Sequence, residues 1–191
     1  EGEPEAWKDW WYDPGAKTLY FIGKDNIPFH AVIWPAELMG VKRLYEEDSS
    51  RVLNLPYDVP ANEFMNLEGR GMSGSRNWAV WADEAADRYD PDALRYYLTV
   101  AMPETRDTYW MWDDFVHRNN KELVGTWGNL AHRALTFAYK RFDGQVPIPG
   151  ELDSLDQGLL KKVEGGFDRV GELLAGCHFR AALGEVMDLA R

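Results

Sequence analysis

The sequence has little cysteine, no excess of positive charge and no long apolar run. Its single cysteine, Cys177, excludes an internal disulfide and any metal site built from several cysteines. One thiol suits a reducing compartment, so we expect a cytoplasmic protein. No apolar run approaches the ~20 residues that a membrane-spanning helix needs, and we therefore expect no membrane partner.

Positive charge is scarce, because 21 Lys and Arg stand against 32 Asp and Glu, for a formal net charge of −11. This balance argues against general affinity for nucleic acid, so any contact with RNA requires a local patch. Aromatic residues, in contrast, make up 14% of the 191 residues, which excludes a disordered chain. The opening residues do not begin with Met, and we interpret the sequence as a fragment.

A run rich in glycine and serine, Gly69–Ser75, is the most distinctive stretch. Its glycines let the backbone bend, so that N–H groups and hydroxyls can turn toward an anion. Residues 61–65 before it predict a strand, and helix signals follow at Asp83 and Asp90. Open α/β sheets hold nucleotide phosphates in polar loops of this kind, although a plain linker has the same composition.

A similar strand–loop–helix unit lies earlier in the chain. Residues 18–22 predict a buried parallel strand, and helical spacing begins beyond Pro28. Asp25, after the strand, could bind a ribose or could cap the following helix. His30 could face the same crevice or have a purely structural role. Residues 41–60 predict a connection.

The second half is helical by its spacing. Asp90 and Pro91 mark the start of one helix. A longer helix is predicted from Asp113 to about Phe142, followed by helices at about 154–174 and from about 179 to the end. We therefore expect an α/β first half and a helical bundle behind it, with the boundary near residues 103–112.

Four segments together resemble the methionyl-tRNA synthetases, a family of class I aminoacyl-tRNA synthetases. They are FIGKDNIPFHAVIWPAELMG, ANEFMNLEGRGMSGSRNWAVW, YDPDALRYYL and NLAHR. The resemblance covers essentially the whole chain. It implies α/β followed by all-α: residues 1–105 as the second half of a Rossmann-type catalytic domain with a KMSKS-like loop, and residues 106–191 as a truncated helical-bundle anticodon-binding domain.

The resemblance implies ATP-dependent attachment of methionine to its tRNA through methionyl-adenylate. ATP, methionine and methionine tRNA are then the partners, Mg²⁺ accompanies ATP, and this segment itself binds no metal. Because half of the methionine pocket has no counterpart here, we expect the chain alone to be inactive. The alternatives are a non-catalytic tRNA-binding paralogue and another class I aminoacyl-tRNA synthetase.

The nucleotide contacts follow from the same resemblance. Gly23 and Asp25 are expected at the ribose of ATP, and the backbone near Met65 at the adenine. Asn62 stands where family members carry a polar group near the nucleotide.

Two further pairs of residues acquire roles by resemblance. Phe29 and His30 are expected to line the end of the methionine side chain. Asn129 and Arg133 are four residues apart, hence on one helix face, and are expected to read the anticodon. Without the resemblance, this face would be interpreted as an ordinary solvated one.

The glycine-rich loop departs from the family pattern. It aligns with the family's KMSKS loop and is expected to supply the catalytic residues Gly71, Met72, Ser73, Gly74, Ser75 and Arg76. Gly71 and Gly74 replace both lysines, so two charges that would stabilise the leaving phosphates are lost. A charged hydrogen bond is worth about 1.5–3 kcal/mol. Arg70 and Arg76 flank the loop and are the candidates to replace that charge.

Overall fold

The computed structural model describes residues 3–41 and 50–191. The chain divides into two compact units, each described by itself below. Unit 1 consists of Glu1–Phe64 and Pro103–Asp107, and unit 2 of Met65–Met102 and Thr108–Arg191. The predicted connection at residues 41–60 lies partly outside the described residues, and its described part, residues 50–60, contains no helix.

Unit 1 combines short helices with a two-stranded parallel ladder. Its elements are α1 (Lys8–Trp11), β1 (Ile22–Gly23), a 3₁₀ turn (Lys24–Asn26), a π-helical segment (Phe29–Ile33), α2 (Trp34–Val41) and β2 (Ala61–Asn62). In the ladder Ile22 lies opposite Ala61 and Gly23 opposite Asn62. The strand predicted at residues 18–22 is confirmed as parallel, but regular pairing begins only at its end.

Aromatic side chains hold α2 in place within unit 1. The indole N–H of Trp34, the first residue of α2, donates a hydrogen bond of 3.0 Å to the hydroxyl of Tyr20. The ring of Trp11 packs edge-on against that of Trp34, with centroids 6.0 Å apart. Tyr12 and Leu38 are buried. Trp11 and Tyr12 therefore connect the start of the chain to this unit's core.

A charged cluster ties the segment 103–107 to the end of β2. The ammonium group of Lys24 contacts the carboxylates of Glu63 and Asp107. The backbone N–H of Phe64 donates to Asp107 Oδ1 at 3.0 Å. This backbone bond, with the nearby Lys24, lowers the pKa of Asp107. Hydrogen bonds to Glu63 and then Asp107 raise the pKa of Lys24.

Unit 2 has a second parallel ladder followed by helices. Its elements are β3 (Met65–Leu67), a 3₁₀ turn (Gly74–Arg76), α3 (Ala82–Arg88), α4 (Pro91–Val100), β4 (Thr108–Trp110), α5 (Trp112–Arg118), a π-helical segment (Asn119–Gly128), α6 (Asn129–Phe142), α7 (Ser154–Ala175) and α8 (Phe179–Leu189). The single strand predicted at residues 61–65 is wrong in its extent, because β2 and β3 pair with different strands. β4, which the sequence did not predict, pairs with β3.

The predicted helices of unit 2 are confirmed, and local interactions explain their ends. Asp90 accepts a hydrogen bond of 2.8 Å from the N–H of Asp92, which caps α4 as predicted. α5, the π-helical segment and α6 follow one another without a break. A Cβ added at Gly125 would lie 3.0 Å from the carbonyl oxygen of Asn120, so the wide π turns favour glycine there.

An aromatic cluster forms the core of unit 2. Tyr97, Trp110 and Phe115 are buried, with ring centroids 4.9–5.4 Å apart. The Tyr97 hydroxyl accepts a hydrogen bond from the N–H of Met111 and lies 3.2 Å from Asp114 Oδ2, to which it donates. Burial raises the pKa of Tyr97. The cluster fixes β4 and α5 against α4.

Much of the apolar surface on α7 is exposed. Leu155 and Phe167, two residues of its apolar stripe, are 79% and 75% exposed. α8 packs closely against α7 at one point, where a Cβ on Gly166 would lie 2.5 Å from a methyl group of Leu189. Within the described ranges, no helix combines the length and the apolar character needed to cross a membrane.

We predict that Tyr97→Phe lowers the free energy of unfolding by about 1–2 kcal/mol, because it leaves the part-buried N–H of Met111 without its acceptor. Urea unfolding followed by tryptophan fluorescence measures the change. Tyr109→Phe is the matched control, since Tyr109 is exposed and should lose less than about 0.5 kcal/mol. Equal losses in both variants would contradict the prediction.

Asp107 is predicted to make stability depend on pH. Its folded-state pKa lies below the unfolded value of about 3.9, so its stabilising effect is present above that pH and disappears as the pH falls through the lowered pKa. Asp107→Asn should therefore destabilise the chain at pH 7 and much less at pH 3. Urea unfolding of the parent protein and the variant at both pH values tests this. A difference in the free energy of unfolding that is the same at pH 7 and pH 3 would show the prediction to be wrong.

Candidate functional site

Three of the predicted nucleotide-binding residues are neighbours in unit 1. Gly23 and Asn62 lie opposite each other in the β1–β2 ladder. A Cβ added at Gly23 would lie only 2.8 Å from Asp25 Oδ1, so the Asp25 carboxylate folds back over the glycine. Asp25 does not cap the helical segments that follow, because their N-cap positions are Gly23 and Pro28. An exposed carboxylate, a glycine and an amide thus share one strand end.

Phe29 and His30 open the π-helical segment of unit 1. The Phe29 ring is 56% exposed, as a residue lining a ligand pocket or a protein surface can be. His30 is half-buried, with Nδ1 3.2 Å from the carbonyl oxygen of Asn26 and its ring 5.8 Å from that of Tyr20. This bond places the proton on Nδ1 and orients the ring, as both a structural and a binding role require. Their contact with methionine stays a prediction.

The glycine-rich loop begins in unit 2 with a tight turn directly after β3. Leu67 and Arg70 exchange two backbone hydrogen bonds of 2.8 and 2.9 Å. The two residues between them, Glu68 and Gly69, have φ of 49° and 76°, as a type I′ turn requires. The Glu68 carboxylate accepts a hydrogen bond of 2.8 Å from the N–H of Trp112. The start of the loop is therefore fixed to the start of α5.

The tip of the loop is also built from specific interactions. Ser73 and Trp78 exchange two backbone hydrogen bonds of 2.8 and 3.0 Å, and the 3₁₀ turn Gly74–Arg76 lies between them. Asn77 closes this turn in the left-handed region, with φ of 49°, which asparagine tolerates well. Its side-chain oxygen accepts a bond of 3.3 Å from the indole N–H of Trp81. A flexible linker would lack this closed hairpin.

The backbone does not force glycine at either position that lacks a lysine. A Cβ at Gly71 would have its nearest neighbour 3.8 Å away, and a Cβ at Gly74 would lie 3.5 Å from the Trp81 ring. Both distances are ordinary contacts, and neither residue needs a positive φ. Lysine side chains would fit at both positions. The fold therefore does not require glycine at position 71 or 74.

Asn129 and Arg133 lie together on α6 in unit 2. Both are exposed and line one cleft of about 620 Å³, so the predicted shared face is confirmed. Thr126 and Arg191 line the same cleft and were not singled out from the sequence. Thr126 lies one turn before Asn129, so helical spacing could have identified it. Arg191 reaches the cleft only through the packing of α8, and its guanidinium pairs with Asp188.

No group of three or more His, Cys, Asp or Glu residues within residues 3–41 and 50–191 is arranged to hold a metal ion. The polar groups that the described loop and cleft offer are backbone N–H groups, hydroxyls, amides and arginines. These groups bind anions and nucleotide edges through hydrogen bonds.

Known proteins resemble this chain in sequence and in structure. The family described as tRNA synthetases class I (M) matches residues 1–135. The methionine–tRNA ligase of Thermomicrobium roseum is 58% identical over 191 residues, which is 100% of this chain and 31% of that protein. The corresponding ligase of Pyrococcus abyssi is 51% identical over 99% of this chain and 26% of that protein.

Solved structures of Mycobacterium tuberculosis methionyl-tRNA synthetase are similar too. The form bound by methionyl-adenylate matches with a TM-score of 0.78 and 30% identity, over 93% of this chain and 32% of that one. The apo form matches with a TM-score of 0.75 and 31% identity. The chain thus spans about a third or less of the length of these relatives. Because the family match covers well over half of its residues, the chain belongs to the class I tRNA synthetases of the methionyl (M) type.

Proposed function

We propose that the protein containing this chain attaches methionine to its tRNA, with methionyl-adenylate as the intermediate and ATP as the source of the adenylate. The observation that carries the proposal is the 58% identity with a methionine–tRNA ligase, which extends over all 191 residues. We also propose that residues 1–105 belong to the catalytic domain and residues 106–191 to the anticodon-binding domain. The chain alone is proposed to be inactive, because it is a part of the enzyme.

Gly23, Asp25 and Asn62 are proposed to bind the adenosine part of ATP. The exposed Asp25 carboxylate can accept hydrogen bonds from the ribose hydroxyls, and Gly23 beside it presents no side chain. Asn62 lies opposite Gly23 and offers an amide. The backbone of Met65 is proposed to contact the adenine, and Phe29 and His30 the methionine side chain.

The loop of unit 2 is proposed to act on the phosphates. In methionine activation, a carboxylate oxygen bonds to the α-phosphorus, the bond to the bridging oxygen breaks, and pyrophosphate leaves with the electron pair. The enzyme must orient ATP and stabilise this negative charge. Hydroxyls of Ser73 and Ser75, backbone N–H groups and the flanking arginines are suited to this role. Mg²⁺ would accompany ATP, bound mainly by phosphate oxygens.

The cleft beside Asn129 and Arg133 is proposed to recognise the anticodon. Amide and guanidinium groups hydrogen-bond to the edges of unstacked bases, and both side chains are exposed at one cleft. From Asp113 to Asp143 the chain carries Arg118, Lys121, Arg133, Lys140 and Arg141 against Asp113, Asp114, Glu122 and Asp143. This slight positive excess in an acidic chain suits a local RNA contact.

The central test is methionine-dependent ATP–pyrophosphate exchange by the full-length protein. We expect clear exchange with methionine and none with leucine, isoleucine or valine. A variant with Gly71→Lys and Gly74→Lys should change the rate by less than about tenfold if the loop already supplies positive charge. Exchange that appears only in the lysine variant would favour the non-catalytic paralogue. Exchange with a different amino acid would identify another class I synthetase.

Anticodon recognition separates tRNA charging from methionine activation. Asn129→Ala and Arg133→Ala should each lower kcat/KM for charging of methionine tRNA by roughly 10–100-fold, which corresponds to a lost base contact of about 1–3 kcal/mol. Pyrophosphate exchange, which needs no tRNA, should be unchanged. His132→Ala is the control, because His132 is exposed on the same helix. Charging that resists both substitutions would rule out this contact.

A further inference from the structure

The two arginines that flank the lysine-free loop have different environments. Arg70 lies at the base of the loop, where its backbone pairs with Leu67. Its guanidinium carbon is 5.8 Å from the centre of the Trp78 ring, within the distance of a cation–π contact. Trp78 in turn pairs with Ser73 on the other side of the hairpin. The Arg70 side chain is therefore engaged within the loop itself.

Arg76 lies at the tip of the loop and is exposed. It is the last residue of the 3₁₀ turn, between Ser73 and Trp78, whose two hydrogen bonds close the hairpin. Among the described residues, none forms a hydrogen bond, ion pair or ring contact with the Arg76 side chain. Its backbone is thus held while its guanidinium is available to a ligand.

The sequence around Arg76 also favours an anion. Residues 69–82 contain two arginines and no Asp or Glu, in a chain whose formal net charge is −11. The nearest carboxylate before this stretch, Glu68, accepts the N–H of Trp112. The loop is therefore locally positive up to Asp83. Both arginines are exposed, and Arg76 is the one whose side chain has no partner among the described residues.

We propose that Arg76 is a catalytic residue that supplies positive charge at the loop during adenylate formation, in place of the absent lysines. This inference rests on the proposed function. As the bond between the α-phosphorus and the bridging oxygen breaks, Arg76 donates hydrogen bonds to the pyrophosphate oxygens on which negative charge develops. The guanidinium remains protonated throughout, so no proton is transferred by this residue. In the reverse direction it holds pyrophosphate for attack on methionyl-adenylate.

The test measures methionine-dependent pyrophosphate exchange by the full-length protein and its variants at varied ATP. Arg76→Ala should lower kcat by roughly 10²-fold, as removal of one donor to a developing anion does. Arg70→Ala should lose less than tenfold. Arg169→Ala, a change of an exposed arginine on α7, should leave exchange unchanged.

Rescue distinguishes lost charge from a damaged loop. A lysine at position 74 fits beside Trp81. The double variant with Arg76→Ala and Gly74→Lys should therefore have a kcat at least tenfold higher than that of Arg76→Ala alone. Thermal unfolding should show the same midpoint for Arg76→Ala as for the parent protein, because the side chain has no partner to lose.

Three results would overturn the inference. One is an Arg76→Ala variant within threefold of the parent, and a second is an equal loss in Arg70→Ala. The third is a failure of Gly74→Lys to restore any rate. In each case an active parent protein leaves the proposed function standing. A parent protein without methionine-dependent exchange would overturn the proposed function, and this inference with it.

Discussion

The pairing of β3 with β4 is the interaction on which unit 2 depends. It places Leu67 opposite Trp110, and Trp110 is buried against Tyr97 and Phe115. Since β3 leads into the glycine-rich loop and β4 leads into α5, the same pairing positions the loop and the start of the long helix. Burial of three aromatic rings contributes several kcal/mol, enough to hold these short strands together. Glu68 extends the connection through its hydrogen bond to the N–H of Trp112.

The shape of the loop does not depend on the side chains at positions 71 and 74. Two backbone hairpins, closed by Leu67 with Arg70 and by Ser73 with Trp78, are independent of the residues at positions 71 and 74. Glycine at those positions therefore leaves the hairpins intact. Electrostatic stabilisation of a leaving group requires a cation at the right place, not a particular residue type. An arginine at the tip of the same hairpin is suited to that requirement.

Helical spacing predicted the long helix but not its internal geometry. The π-helical segment Asn119–Gly128 separates α5 from α6 without ending the helix, and α6 begins with Asn129. Sequence patterns cannot distinguish α from π turns, because the difference lies in which carbonyl accepts each N–H bond. The cleft beside Asn129 and Arg133 also contains Arg191, which only the packing of α8 brings there. The apolar stripe of α7, which includes Leu155 and Phe167, is largely exposed.

The sequence by itself determined the helices, the Asp90 cap, the position of the loop and the family, because these depend on local spacing and on motifs. The tertiary structure decided what depends on distant residues. Thr108–Trp110 is a strand because it pairs with β3. Gly23 lies opposite Asn62 because β1 pairs with β2. The two arginines beside the loop are equivalent in sequence. Both are exposed, but the closed hairpin brings the Trp78 ring to 5.8 Å from the guanidinium carbon of Arg70, and no described residue contacts the Arg76 side chain.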